Sequence, residues 1–122
     1  LLIDYQSIFE CAQSKIESKY AKNGRGPNTF DSIGLVIYCY QIVGISLPNS
    51  AELICQMGSA IKTEDAIAGD IVCIDFELAG KVNHVGIFAE IGKAIYIINA
   101  IGQVVKLQEI PDDLDEFKGI RH

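Results

Sequence analysis

Two side chains in this sequence could cooperate in nucleophilic chemistry, and neither declares itself alone. Ser32 stands in Phe30-Asp31-Ser32-Ile33-Gly34-Leu35-Val36, where an apolar run with helical spacing begins. A hydroxyl at a helix N-terminus lies among unpaired backbone N–H groups, at the positive end of the helix dipole. Both stabilise negative charge developing on a nucleophile or on a tetrahedral oxyanion. Taken by itself, the segment favours a serine that merely helps to cap the helix. Gly34, two residues in, costs helical stability and so points to a close approach of another chain segment. His84 stands in the β-branched stretch Asn83-His84-Val85-Gly86-Ile87-Phe88. A strand histidine faces either core or cleft, and alone it is more often structural; a nearby hydroxyl would make it a general base. The only other histidine, His122, is terminal and is expected to fray or to be left from a tag. Cys11, Cys39, Cys55 and Cys73 show no C-x-x-C pairing and no histidine at ligand spacing, which argues against zinc. Their apolar neighbours read them as buried structural thiols, with no disulfide pairing deducible.

The elements that must position these groups follow from periodicity. Ile8, Cys11 or Ala12, and Ile16 recur at helical spacing, so residues 5–19 are expected to form an amphipathic helix, ended by the turn chemistry of 23–28. Leu35, Cys39 and Ile42 share one face of a second helix over 32–43, with Asp31 as N-cap and Gly44 as its stop. Capping-box spacing from Asn49 to Glu52 opens a short third helix that stops near Gly58. After Gly69 the pattern becomes short β-branched segments at 70–76, 83–89, 94–99 and 104–107, with a last strand at 117–121. The acidic stretch 108–116 reads as a solvated connection. Helices first and strands afterwards give an α+β domain: N-terminal helices packed on an antiparallel sheet of about five strands.

At 122 residues the chain is one domain, 1–122, and needs no metal or disulfide to fold. Its formal charge of -6, with ten scattered basic residues, argues against nucleic acid and against anionic membrane surfaces. No apolar stretch approaches the ~20 residues of a membrane span, and no secretory signal is visible. The sequence opens at Leu1 without methionine, so it reads as a piece of a longer protein or a processed product.

Three motifs in order carry a family resemblance. NlpC-type cell-wall peptidases, which have a papain-like fold, show F-D-C-S-G-L-V at the start of a central helix, then G-D-x-V, then H-V-G-I on successive strands. This chain has Phe30-Asp31-Ser32-Ile33-Gly34-Leu35-Val36, Gly69-Asp70-Ile71-Val72 and His84-Val85-Gly86-Ile87. Gly44-Ile45-Ser46-Leu47-Pro48 resembles the family's segment after the helix, and Tyr20 with its Gly-rich turn resembles the approach to the nucleophile. The likeness runs from about residue 20 to 105. It implies that Ser32 occupies the position of the nucleophilic cysteine and that His84 is the general base. It further implies an imidazole-orienting residue on the next strand, Asn99, with Tyr96 as the alternative if the hairpin register differs by one. Tyr20, Asp31 and Ile33 would line the substrate and oxyanion side. No metal or organic cofactor is implied.

The same resemblance implies cleavage of an amide in peptidoglycan stem peptides, such as the D-glutamyl–diamino acid bond, by acyl transfer. A cysteine there ionises readily beside an imidazolium and a helix N-terminus, whereas a serine must lose its proton during attack. Serine in a site shaped for sulfur is expected to cost ~10³-fold or more in rate. A silenced peptidase, a homologue that binds peptidoglycan peptides without cutting, and a working serine variant all fit, as do an N-acetylmuramoyl-L-alanine amidase or a toxin. Expected partners are the stem peptide and an immunity or inhibitor protein. The parent protein is expected to be secreted or cell-wall associated, because the substrate lies outside the cytoplasm.

Overall fold

The computed structural model describes residues 2–112 and 115–122. Helix α1 (Tyr5–Ser14) is capped by Asp4, whose carboxylate accepts from Ser7 N at 3.0 Å and Ser7 Oγ at 2.7 Å. It buries Ile8, Cys11 and Ala12. It stops short of residue 19 because the backbone leaves for a distant partner. Glu17 turns to φ 79, then Glu17 N donates to Val105 O at 2.8 Å and Val105 N to Ser18 O at 2.9 Å. Two-residue strands β1 (Lys19–Tyr20) and β2 (Thr29–Phe30) pair in parallel, with Tyr20 opposite Phe30.

Helix α2 (Ser32–Ile42) begins at the expected N-cap and ends at a turn through Gly44, where φ is +85 and Gly44 N donates to Gln41 O. Helix α3 (Ala51–Ile54) is capped by Ser50 and not by Asn49. The Asn49 side chain is taken by Arg25, whose guanidinium reaches its Oδ1 at 2.6 Å.

The strands β3 (Ala60–Ile61), β4 (Ile71–Ile74), β5 (His84–Glu90), β6 (Lys93–Tyr96), β7 (Lys106–Glu109) and β8 (Phe117–Arg121) form one antiparallel sheet in the order β3-β8-β4-β5-β6-β7. The sheet thus has six strands where about five were expected. The extra one, β3, is too short to show a period-2 pattern and exists through its pairing with β8. Its ladder continues through Ser59 and His122, which exchange backbone hydrogen bonds at 3.1 and 2.9 Å. His122 is therefore anchored, contrary to expectation. Residues 113 and 114 of the expected acidic connection lie outside the described residues, and its first part belongs to β7.

α1 and α2 cover one face of the sheet. Phe30, Leu35, Val36, Cys39, Val85, Ile87, Ile95 and Ile97 meet between the layers, and Val72, Ile74, Phe88, Tyr96 and Ile120 pack on the other face. β4 is buried on both sides, as its continuous apolar run requires. At about 1.5–3 kcal/mol for each large side chain withdrawn from water, Phe30, Leu35 and Val36 alone pin the start of α2 to the sheet.

The four cysteines divide. Cys55 and Cys73 form a disulfide, and Cys11 and Cys39 are buried thiols at the α1–α2 contact. The reading as buried thiols throughout holds for only two of them, since pairing depends on α3 meeting β4. No described helix is long and apolar enough to cross a membrane.

Candidate active site

The start of α2 is built by short-range chemistry. Asp31 Oδ1 accepts from Gly34 N at 2.7 Å, and the same oxygen receives Arg25 Nη1 at 2.7 Å. Arg25 thereby ties the N-cap to the turn at Gly24 and to Asn49. A side chain at position 34 would collide with the Gly24 carbonyl, so the close approach expected there is real. β2 runs directly into Asp31 and Ser32. Tyr20 pairs with Phe30, two residues before Ser32, and its backbone N–H donates to Gln103 O at 3.0 Å. The 103–105 segment is thus bound to β1, which brings the turn between β6 and β7 over the helix N-terminus. Ile33 is half-buried against the helix-side core.

Ser32 is fully buried. Its backbone N–H donates to Asn99 Oδ1 at 2.9 Å, and Asn99 Nδ2 donates to Ser32 Oγ at 3.3 Å. A side-chain amide therefore rests with its oxygen on a helix N-terminal donor and its nitrogen on the hydroxyl. This corrects the expectation for Asn99: its amide is engaged with Ser32, not with the imidazole. The alternative, Tyr96, is engaged elsewhere too, its hydroxyl donating to Glu109 O at 2.7 Å. The register puts Tyr96 opposite Lys106, and the ring runs along β7.

His84 opens β5, the strand against which α2 packs. It is 8% exposed. Its Nδ1 lies 3.1 Å from Asn83 Oδ1, and the Phe76 ring stands 5.1 Å away. Nε2 is buried and has no hydrogen-bond partner among the described residues. Burial pushes the imidazole pKa below the ordinary histidine value, against the pull of the Asp31 and Glu77 carboxylates. Because α2 packs against β5, the helix that starts at Ser32 and the strand that starts at His84 are in direct contact. A neutral imidazole with an unpaired nitrogen, a hydroxyl on a helix N-terminus and a backbone N–H that donates to an amide oxygen are the parts of an acyl-transfer site. Among the described residues no cluster of His, Cys, Asp and Glu could hold a metal.

The NlpC/P60 family model matches residues 17–114. The chain belongs to that family. A probable endopeptidase of Corynebacterium glutamicum is 35% identical over 95 residues, which are 78% of this chain and 44% of that protein. The bifunctional muramidase/DL-endopeptidase CwlT of Bacillus subtilis is 33% identical over 91 residues, 73% of this chain and 28% of CwlT. The structure of NlpC1 from Trichomonas vaginalis superposes with a TM-score of 0.86 at 26% identity, covering 100% of this chain and 45% of that one. The chain spans less than half the length of each of these relatives. Membership in the NlpC/P60 family accounts for the helix-then-sheet order and for the meeting of the 30–36 and 83–88 segments.

Two contributors to the site carry little signal in the sequence. Arg25 reads as part of a turn, although a lone arginine between two glycines, six residues before a capping aspartate, is also placed to be its partner. Asn83 reads as the residue before His84. Its amide directly preceding a strand histidine was the available signal.

Proposed function

We propose that this NlpC/P60 domain acts on an amide of peptidoglycan stem peptides, such as the D-glutamyl–diamino acid bond, with Ser32 at the position of the nucleophile. In this reading Ser32 Oγ attacks the carbonyl carbon while His84 takes the hydroxyl proton. The oxyanion is held by the N–H groups at the start of α2, and His84 passes the proton to the leaving amine. Water then hydrolyses the acyl-enzyme by the same route. The observation that carries the reading is the contact between the Ser32 N–H and the amide oxygen of Asn99. The helix N-terminus already binds the kind of oxygen that the substrate would present there. An open hollow of 340 Å³ beside Tyr20, lined also by Ile101, Gln103 and Val104, offers room for the chain leading to that amide.

Serine makes this copy a strongly impaired hydrolase. Purified peptidoglycan digested by this chain and by Ser32→Cys, with products read by mass spectrometry, tests it. We expect the cysteine form to release stem-peptide fragments ~10³-fold faster or more. If both forms fold and neither cuts, the hydrolase reading fails.

The complete burial of Ser32 beneath Asn99 favours a second reading, in which the cleft binds a stem peptide without cutting it. Calorimetric titration of a soluble muropeptide into the unaltered chain separates the two. The disulfide between Cys55 and Cys73 supports an oxidising compartment, and so export of the parent protein.

A further inference from the structure

We propose that Asn83 is the positioning residue of His84, setting its tautomer so that Nε2 is the nitrogen left to accept a proton. The orientation of the Asn83 amide is decided by the backbone of Phe76. Phe76 N donates to Asn83 Oδ1 at 2.7 Å, and Asn83 Nδ2 donates to Phe76 O at 2.9 Å. Turning the amide over would set two donors and two acceptors face to face, so the oxygen must be the atom on the Phe76 N–H side. That same oxygen lies 3.1 Å from His84 Nδ1. A carboxamide oxygen can only accept, so Nδ1 carries the hydrogen and the lone pair of the neutral ring falls on Nε2. Nε2 is the buried atom with no partner among the described residues. The Asn83 backbone is itself held, its N–H donating to Ile74 O at 3.0 Å.

The residues expected to do this from the next strand are occupied, Asn99 by Ser32 and Tyr96 by Glu109 O. Asn83 can replace them because it precedes β5, where its side chain is free of the strand's alternation and can turn back across the Phe76 backbone. The charges that bear on the ring are Asp31 from the N-cap of α2 and Glu77 from the turn after β4. The tautomer does not depend on the proposed hydrolase reading; only its use as a base does.

The test is nitrogen-15 NMR of the imidazoles, in a chain carrying His122→Gln so that His84 alone is observed. We expect protonated Nδ1 and unprotonated Nε2 above the ring's pKa. In Asn83→Ala the ring should revert to the Nε2–H form that free imidazole side chains prefer. Asn83→Asp should keep Nδ1–H and raise the midpoint of titration by about one pH unit or more, through the added negative charge. In the Ser32→Cys background the acid limb of kcat/KM should move up with it, which a merely structural contact would not produce. An Nε2–H ring in the Asn83 chain, or an unchanged tautomer in Asn83→Ala, overturns the assignment. If Asn83→Ala does not fold, the tautomer of the unaltered residue and the Asn83→Asp titration decide it. Nδ1–H in a Ser32→Cys chain that cuts no peptidoglycan supports Asn83 while removing the hydrolase reading.

Discussion

The molecule holds its two histidines in parallel arrangements that serve opposite ends. Each has an oxygen on Nδ1 and an aromatic ring beside it. His84 faces the neutral amide of Asn83 at 3.1 Å with Phe76 alongside, and its Nε2 is left buried and unpaired. His122 faces the carboxylate of Asp70 at 2.6 Å and stacks on Tyr5, ring centroids 4.5 Å apart. Asp70 is completely buried, and its other oxygen accepts from Ile67 N at 2.8 Å. A neutral acceptor orients an imidazole while leaving it free to gain and lose a proton. A buried carboxylate instead anchors its partner, because a buried polar group left without its hydrogen bond is costly. The region around His122 is accordingly structural. It closes β3 against β8 and walls an apolar hollow of 140 Å³ with Tyr5, Tyr40 and Met57, at the end of α2 opposite Ser32. This apolar hollow is thus remote from Ser32.

The sharpest test of this contrast exchanges the two histidines for alanine in the Ser32→Cys chain. His84→Ala should lower the rate of muropeptide release by ~10³-fold or more, whereas His122→Ala should leave the rate per folded molecule within a few-fold. Equal losses would erase the distinction.

Reducing the bridge between Cys55 and Cys73, 18 residues apart, comes next. The disulfide fastens α3 to β4 on the structural side. Its loss should lower stability by roughly 3 kcal/mol in urea denaturation, with the His84 tautomer unchanged. Asp70→Ala should cost about 2 kcal/mol, because Ile67 N–H and His122 both lose their acceptor, and His122→Ala about 1 kcal/mol. If Asp70→Ala proves neutral, the carboxylate holds nothing and the structural role assigned to that pair is wrong.

The smallest effect is a pH dependence. His84 titrates below the ordinary value because it is buried, so between its own pKa and about 6.5 the unfolded chain binds more protons than the folded one. Its contribution to stability should be complete above that range, decline as pH falls through it, and level off below the folded pKa. His84→Gln should remove this slope, and a slope unchanged by that substitution would show that the imidazole is not the group responsible.

Much of the fold was legible in the residues because its signals are local. The capping aspartate, the buried Leu35 and Cys39 of α2, the stop at Gly44, the glycine at 34 and the β-branched strands each act within a few positions. The family motifs marked two elements that pack on each other, α2 with Ser32 and β5 with His84, for the same reason: each marks the end of an element whose packing partner is apolar and unambiguous. Ile42, expected on the same face as Leu35 and Cys39, is instead 56% exposed at the last residue of the helix. What failed to show was non-local. The early end of α1 comes from pairing with residue 105, the strand β3 from pairing with β8, the anchoring of His122 from Asp70, and the disulfide from the meeting of α3 and β4. The partners of Asn99, Asn49 and Asp70 belonged to this second class. Asn99 was expected on the strand itself but lies three residues past the end of β6, and a hairpin whose far arm is bound to β1 carries it onto Ser32, so the imidazole is left to Asn83. Apolar burial is read from a pattern because it is non-directional and tolerates neighbours of many kinds. A hydrogen bond is set by a few ångströms and an angle, which only the assembled tertiary structure decides.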